Sequence, residues 1–223
     1  METLDINKIK EIYAERRKRS RFELRPFEEK VLAVMKKQGR SEIECIDWIN
    51  EQVECPERFL HAMPSDLPEK IRTWIDSPDR RGMYMFGEVG TGKTYILYAL
   101  AKLFRANGKV TKMYNFPNWL DQLRQSFDKE NSDINLAEQL SHKCVMMIDD
   151  IGSEKASEWT LEIMYRLINN RYEQALPTIF AGNLGIDQFS DKYGDRIASR
   201  VTEMVGQKNG IIKISGEDRR LKI

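Results

Sequence analysis

The sequence predicts an α/β protein, a parallel five-stranded sheet flanked by helices and preceded by a small helical N-terminal region. From Pro56 onward, short apolar runs alternate with amphipathic stretches, as strands buried on both faces alternate with the helices that cover them. Before Pro56 the apolar residues fall at helical spacing instead. The length of 223 residues, 41% hydrophobic and 32% charged, suits one main domain with an appendage and excludes collagen-like, low-complexity and wholly disordered chains.

Taken in order, Ile6, Ile9, Ile12 and Tyr13 form a first helical stripe and Phe27, Val31, Val34 and Met35 a second. Ser41-Glu42-Ile43-Glu44 reads as a capping box for a third, with Ile43, Ile46, Ile49 and Val53 running to the break at Cys55-Pro56. Residues 1–55 are thus expected to be a helical partner-binding region, and residues 56–223 the main domain. The expected strands are Met83–Phe86, Val110–Tyr114, Cys144–Ile148, Thr178–Ala181 and Ile211–Ile214, with helical patterns after the first four. In open sheets of this kind ligands bind beyond the carboxyl ends of the strands, and the polar motifs fall there.

Charge is divided unevenly. Residues 1–40 carry a net +5 and the remainder −4, within an overall +1. Arg16, Arg17, Lys18, Arg19 and Arg21 form a basic block suited either to phosphates and acidic partners or to a solvated helix face. No apolar run reaches the roughly 18 residues of a membrane span, and the opening METLDINKIK has no signal-peptide core, so a cytoplasmic location without membrane contact is expected. Cys45, Cys55 and Cys144 make no CxxC pair and match no zinc spacing, which suits a reducing compartment.

Residues 87–94 read GEVGTGKT, a G-x-x-x-x-G-K-[ST] pattern set between the apolar run GMYMF and the helical run YILYALAKLF. Gly87, Glu88, Val89, Gly90, Thr91 and Gly92 would turn backbone N–H groups inward, and the following helix N-terminus adds partial positive charge, so a polyphosphate such as that of ATP is held by main chain. Lys93 is expected to reach the β and γ phosphates, and the Thr94 hydroxyl to ligate Mg²⁺. The glycine spacing is not that of a dinucleotide fold, which argues against a nicotinamide enzyme. The run CVMMI leads into Asp149 and Asp150, a Walker B arrangement. Asp149 would serve the Mg²⁺ shell, and Asp150 would orient the attacking water or take its proton. Asn183, just after PTIFAG, is placed to position that water or sense the γ phosphate.

In this order GEVGTGKT, VMMIDDIGSEKASEW, TIFAGNL and GDRIASRV resemble the AAA+ P-loop ATPases of the bacterial replicative helicase loader family, the DnaC/DnaI type, with the IstB transposition helpers as close kin. The resemblance begins near CPERFLHA and ends at SGEDRRLKI, about three quarters of the chain. It implies an ATPase with no full lid domain, since 40 residues follow Asn183. It also implies that Arg200 is an arginine finger acting on a neighbouring subunit's nucleotide, so that the protein self-associates through a composite ATP site, and that Arg220 is a sensor arginine. Arg219 stands where that family usually has an aromatic. The implied function is loading a replicative helicase onto single-stranded DNA, with slow, stimulated hydrolysis. The alternative is an IstB-like helper that binds duplex DNA and recruits a transposase. A third reading, a non-catalytic adaptor, would bind ATP without hydrolysing it. The stretch NFPNWLDQLRQSF, with Trp119, Leu120, Leu123 and Phe127 on one side, corresponds to a region that helps contact single-stranded DNA in the resembled family. An aromatic at any of these positions is more often core than exposed, and Phe116, at the helix entry, is the best candidate for an exposed one.

Overall fold

A computed structural model of the chain describes residues 50–51, 53–77, 82–107, 109–127, 140–206 and 209–216. The chain divides into two compact units between Asp47 and Trp48. The predicted helical stripes before residue 50, the basic block at 16–21, and Arg219 and Arg220 lie outside the described residues.

In the second unit the order is α1 (Glu69–Asp76), β1 (Met83–Phe86), α2 (Lys93–Ala106), β2 (Thr111–Asn115), α3 (Phe116–Phe127), β3 (Val145–Ile151), α4 (Glu158–Glu173), β4 (Thr178–Gly182), α5 (Ile186–Tyr193), α6 (Asp195–Val205) and β5 (Ile211–Lys213). The strands pair in parallel in the order β2-β3-β4-β1-β5. All five expected strands are present, β1 with its expected bounds and the others with ends displaced by at most three residues. The largest displacement is in β3, which continues past Ile148 to Ile151 through a register shift against β4, so that both aspartates lie within it.

Side-chain alternation with period two divides the core between the faces of the sheet. On one face Tyr84, Met146, Ile148 and Phe180 pack with α3, α4, α5 and α6. On the other, Met83, Met85, Met147, Ile179 and Ala181 pack with α1 and α2. Helix α6 presents Ile197, Ala198, Val201 and Val205 to the core at helical spacing. Helix α4 begins where the Ser157 hydroxyl accepts from the Thr160 amide at 3.1 Å, an N-cap.

The segment before α1 is fastened to α2. Phe59 stacks on Tyr98 with centroids 4.9 Å apart, and Lys102, 4% exposed, donates to the carbonyls of Phe59, Leu60 and Ala62 at 3.0, 2.8 and 3.0 Å. Three ammonium donors thus meet three carbonyls, which makes the burial tolerable. Burial lowers the Lys102 pKa. Val53 and Cys55 pack against the same core, so the main unit draws on residues ahead of Pro56.

The candidate exposed aromatic is instead core, the commoner reading for each of these residues. Phe116 is fully buried, its ring centroid 6.0 Å from that of Trp119, because β2 runs directly into α3 and the first helical side chain joins the core beneath α3 and α4. Trp119, Leu120 and Leu123 are buried as core, as expected.

Candidate nucleotide site

The site lies beyond the carboxyl ends of β1, β3 and β4 and starts from the loop 87–92. A Cβ on Gly87 would lie 2.0 Å from the Ile214 carbonyl oxygen, so only glycine lets β1 leave the sheet beside the end of β5. Gly92 takes φ 91° at the head of α2, a left-handed conformation that turns the chain into the helix and leaves that helix N-terminus facing the loop. Glu88 and Val89 are exposed, while Thr91 is buried and donates to the Glu88 carbonyl at 2.9 Å. Lys93, 6% exposed, donates to the carbonyls of Gly87 and Glu88, both at 2.8 Å, so its ammonium lies inside the loop that a polyphosphate would enter.

Two residues far apart in sequence meet here. The Thr94 hydroxyl donates to Asp149 Oδ2 at 2.7 Å. Asp149 is 3% exposed, and its other oxygen, Oδ1, is buried without a hydrogen-bond partner. Burial pushes its pKa up to about 6, against the opposing hydrogen bond from Thr94. A hydroxyl and a carboxylate oxygen left without a donor are the hard oxygen set that Mg²⁺ takes through one or two protein ligands, so the residues fit that ion. When bound, it would offset phosphate charge.

Asp150 is built differently. It has φ 56°, a left-handed conformation uncommon for a residue other than glycine, and its Oδ2 accepts from Asn115 Nδ2 at 2.9 Å. The Ser153 amide and hydroxyl bond back to the Asp150 carbonyl at 3.2 and 2.7 Å. Asn115 was not singled out from the sequence. The available signal was its place at the end of β2, where it pairs in register with Asp149.

Asn183 follows β4 directly and is exposed. The adjoining turn is held from β1, because the Tyr84 hydroxyl donates to the Leu184 carbonyl at 2.8 Å. Arg200 lies on α6, away from this group in sequence and folded along its own subunit. Its guanidinium carbon lies 5.8 Å from the ring centroid of Tyr165 and 5.6 Å from that of Tyr172, both on α4, and Nη1 donates to the Arg196 carbonyl at 3.3 Å. Its Nε is buried without a partner. Within one chain, therefore, Gly87–Thr94, Asp149 and Asp150 come together at the sheet ends, while Arg200 rests against α4.

A parallel sheet in this order, with a phosphate loop after β1 and an acidic end on β3, defines an AAA+ P-loop ATPase fold. Residues 31–223 match the profile of the family described as IstB-like ATP binding protein. The chain belongs to that family. It is similar to the replicative helicase loader DnaI of Bacillus subtilis (strain 168), 25% identical over 179 residues covering 76% of this chain and 57% of that protein. It is also similar to the insertion sequence IS21 putative ATP-binding protein of Pseudomonas aeruginosa, 29% identical over 143 residues covering 62% of this chain and 52% of that protein. The chain therefore spans little more than half the length of these relatives. A crystal structure of the DnaC helicase loader shares the fold, with a TM-score of 0.59 at 20% identity, covering 72% of this chain and all of that one. Among the described residues no helix is long and apolar enough to cross a membrane.

Proposed function

We propose that the protein is an ATP- and Mg²⁺-dependent ATPase of DNA replication that holds a replicative helicase and helps place it on single-stranded DNA in the cytoplasm. The observation that carries the ATPase part is the meeting of Thr94 with Asp149 beside a main-chain loop enclosing the Lys93 ammonium. In this reading the loop and Lys93 bind the phosphates, and Thr94 and Asp149 take the metal. Asp150 orients the lytic water, with Asn183 alongside. Arg200 serves a neighbouring subunit's nucleotide, and Arg220 serves as a sensor. Turnover is slow, since an aspartate at 150 reaches less far than a glutamate would and is engaged by Asn115. Residues 1–55 supply the helicase-binding region.

The helicase-loading part is supported by similarity to DnaI and to the DnaC fold. A second reading, an ATPase helper that recruits a transposase to duplex DNA, is favoured by the family match and by the 29% identity to the IS21 protein. One experiment separates them. Tagged protein is used to recover partners, and phosphate release is then measured with single-stranded or duplex DNA present. Recovery of a hexameric helicase, with turnover stimulated by single strands, supports the first. A transposase and duplex stimulation support the second. Lys93→Ala should abolish ATP binding, and Arg200→Ala should remove the stimulation while leaving ATP binding intact. Wild-type phosphate release no greater than that of Lys93→Ala would overturn the enzymatic reading.

A further inference from the structure

Beyond the residues around the phosphate loop, a polar cluster sits on the turn that follows Asp150. Glu154 has a side chain only 6% exposed although it carries a carboxylate. Its Oε2 accepts from the Gly152 amide at 3.0 Å, and its Oε1 accepts from the Tyr193 hydroxyl and lies 3.2 Å from the Lys192 ammonium. Lys192 also donates to the carbonyls of Gly152 at 2.7 Å and Glu154 at 2.6 Å. Thus the last two residues of α5 fasten both the main chain and the side chain of residues 152–154.

The arrangement is specific in what it fixes. A buried carboxylate and a partly buried lysine add little stability that apolar residues would not, and their advantage is to select one geometry. The geometry in need of selection is adjacent. Asp150 stands at φ 56°, a conformation that persists only where its surroundings over-determine it. Ser153 supplies two bonds to its carbonyl, Asn115 holds its side chain, and Glu154, Lys192 and Tyr193 add a further restraint on the turn. Burial and the bond to Glu154 both raise the Tyr193 pKa, so its hydroxyl remains a donor.

We infer that Glu154, Lys192 and Tyr193 are positioning residues that hold the turn after β3 so that Asp150 keeps its left-handed backbone at the strand end. The inference rests on the ATPase reading for its kinetic consequence, but not for its structural one.

The test uses the full chain with Lys192→Met, Lys192→Arg, Glu154→Gln and Tyr193→Phe, the last a mild variant that retains the ring and its packing. Amide hydrogen exchange is followed in residues 150–155, with β1 as an internal reference, together with ATP affinity and kcat. In Lys192→Met and Glu154→Gln we expect the turn to exchange at least about tenfold faster while β1 stays within about twofold, and kcat to fall about tenfold with ATP affinity within about threefold. Tyr193→Phe should show about a threefold effect in the same direction, and Lys192→Arg should recover part of kcat. The Lys192→Met/Glu154→Gln double variant should lose less than the product of the two single effects, because the contact between the two side chains is lost in either. Unchanged exchange in the turn would overturn the inference, as would exchange that rises equally in β1, or kcat and affinity that fall together. Should wild-type protein turn over no faster than Lys93→Ala, the ATPase reading fails, while the exchange pattern still decides whether the cluster holds the turn.

Discussion

The two ends of the sheet handle buried charge in opposite ways. At the amino ends of β3 and β4, Arg171 is fully buried and every guanidinium donor is engaged. Nε donates to the Thr178 hydroxyl at 2.7 Å, Nη1 to the Leu140 and His142 carbonyls at 3.2 and 3.3 Å, and Nη2 to the Cys144 and Pro177 carbonyls, both at 2.9 Å. Burial lowers its pKa to about 10, which still leaves it charged at neutral pH. At the carboxyl ends Asp149 is nearly as buried, yet one of its oxygens has no partner, and its neighbour Asp150 sits in strained backbone. The satisfied arginine joins α4 to the starts of two strands, and its guanidinium has no donor left for a ligand. The unsatisfied end has oxygen to offer, and its cost in the empty protein is what a ligand can recover.

The largest expected effect comes from the satisfied end. Arg171→Met removes five donors and strands their acceptors in the core, so it should cost about 3–5 kcal/mol of folding stability by chemical denaturation. Whatever remains folded should bind ATP as wild type does, since nothing at the phosphate loop is touched. Loss of ATP affinity in the folded fraction would break the division between the ends.

At the opposite end the sign reverses. The Asp149 pKa of about 6 is raised above that of an ordinary carboxylate, so between about pH 4 and pH 6 the folded protein keeps a proton that the unfolded chain has released. Stability without nucleotide or Mg²⁺ should therefore fall as pH rises through that window and level off above it, by about 3 kcal/mol at most. Asp149→Asn keeps an acceptor for Thr94 but never ionises. It should flatten that slope and gain about 2 kcal/mol at pH 7.5, while weakening the Mg²⁺ dependence of ATP binding. Denaturation at several pH values, with and without Mg²⁺ and ATP, checks both. A loss of stability in Asp149→Asn at neutral pH would contradict the reading of Asp149 as a destabilised ligand group.

How much of this was legible in the sequence follows the same division. The phosphate loop and the acidic strand end could be read because their chemistry is local: GEVGTGKT carries its own turn and helix start, and CVMMIDD its own strand. Strand positions were legible from apolar runs, but their order was not, because a run of Met and Ile does not specify its neighbour. Arg171 gave no signal. A lone arginine in an amphipathic helix reads as surface, and its acceptors lie as far as 31 residues away. The burial of Phe116 could not be settled for a related reason: an aromatic at a strand-to-helix junction faces water or core according to a turn direction that spacing does not encode. Asn115 and Glu154 matter only through partners brought near by folding, at separations of 35 residues to Asp150 and 39 to Tyr193.

A smaller effect is expected at a helix start that belongs to neither end. Ser157 caps α4 through the Thr160 amide, and Ser157→Ala should cost about 1 kcal/mol without altering nucleotide affinity. Equal Tm values for the two proteins would mean that solvent replaces the cap fully.

The smallest change concerns Asn115, where the contrast between the ends can be sharpened without unfolding anything. Its amide donates to Asp150 at 2.9 Å, so the carboxylate proposed to orient water is engaged from the side. Removing a donor from a carboxyl group that is only partly buried costs little in stability, because water can take its place. It also frees the carboxylate to turn toward the phosphate loop. Asn115→Ala should therefore raise unstimulated phosphate release about threefold and narrow the gap between basal and DNA-stimulated rates, with ATP affinity unchanged. Asn115→Asp would place two carboxylates side by side and should lower turnover by electrostatic repulsion. If Asn115→Ala instead lowered basal turnover, the amide would be holding Asp150 in its working position, and the strained strand end would already be set for catalysis before any partner arrives.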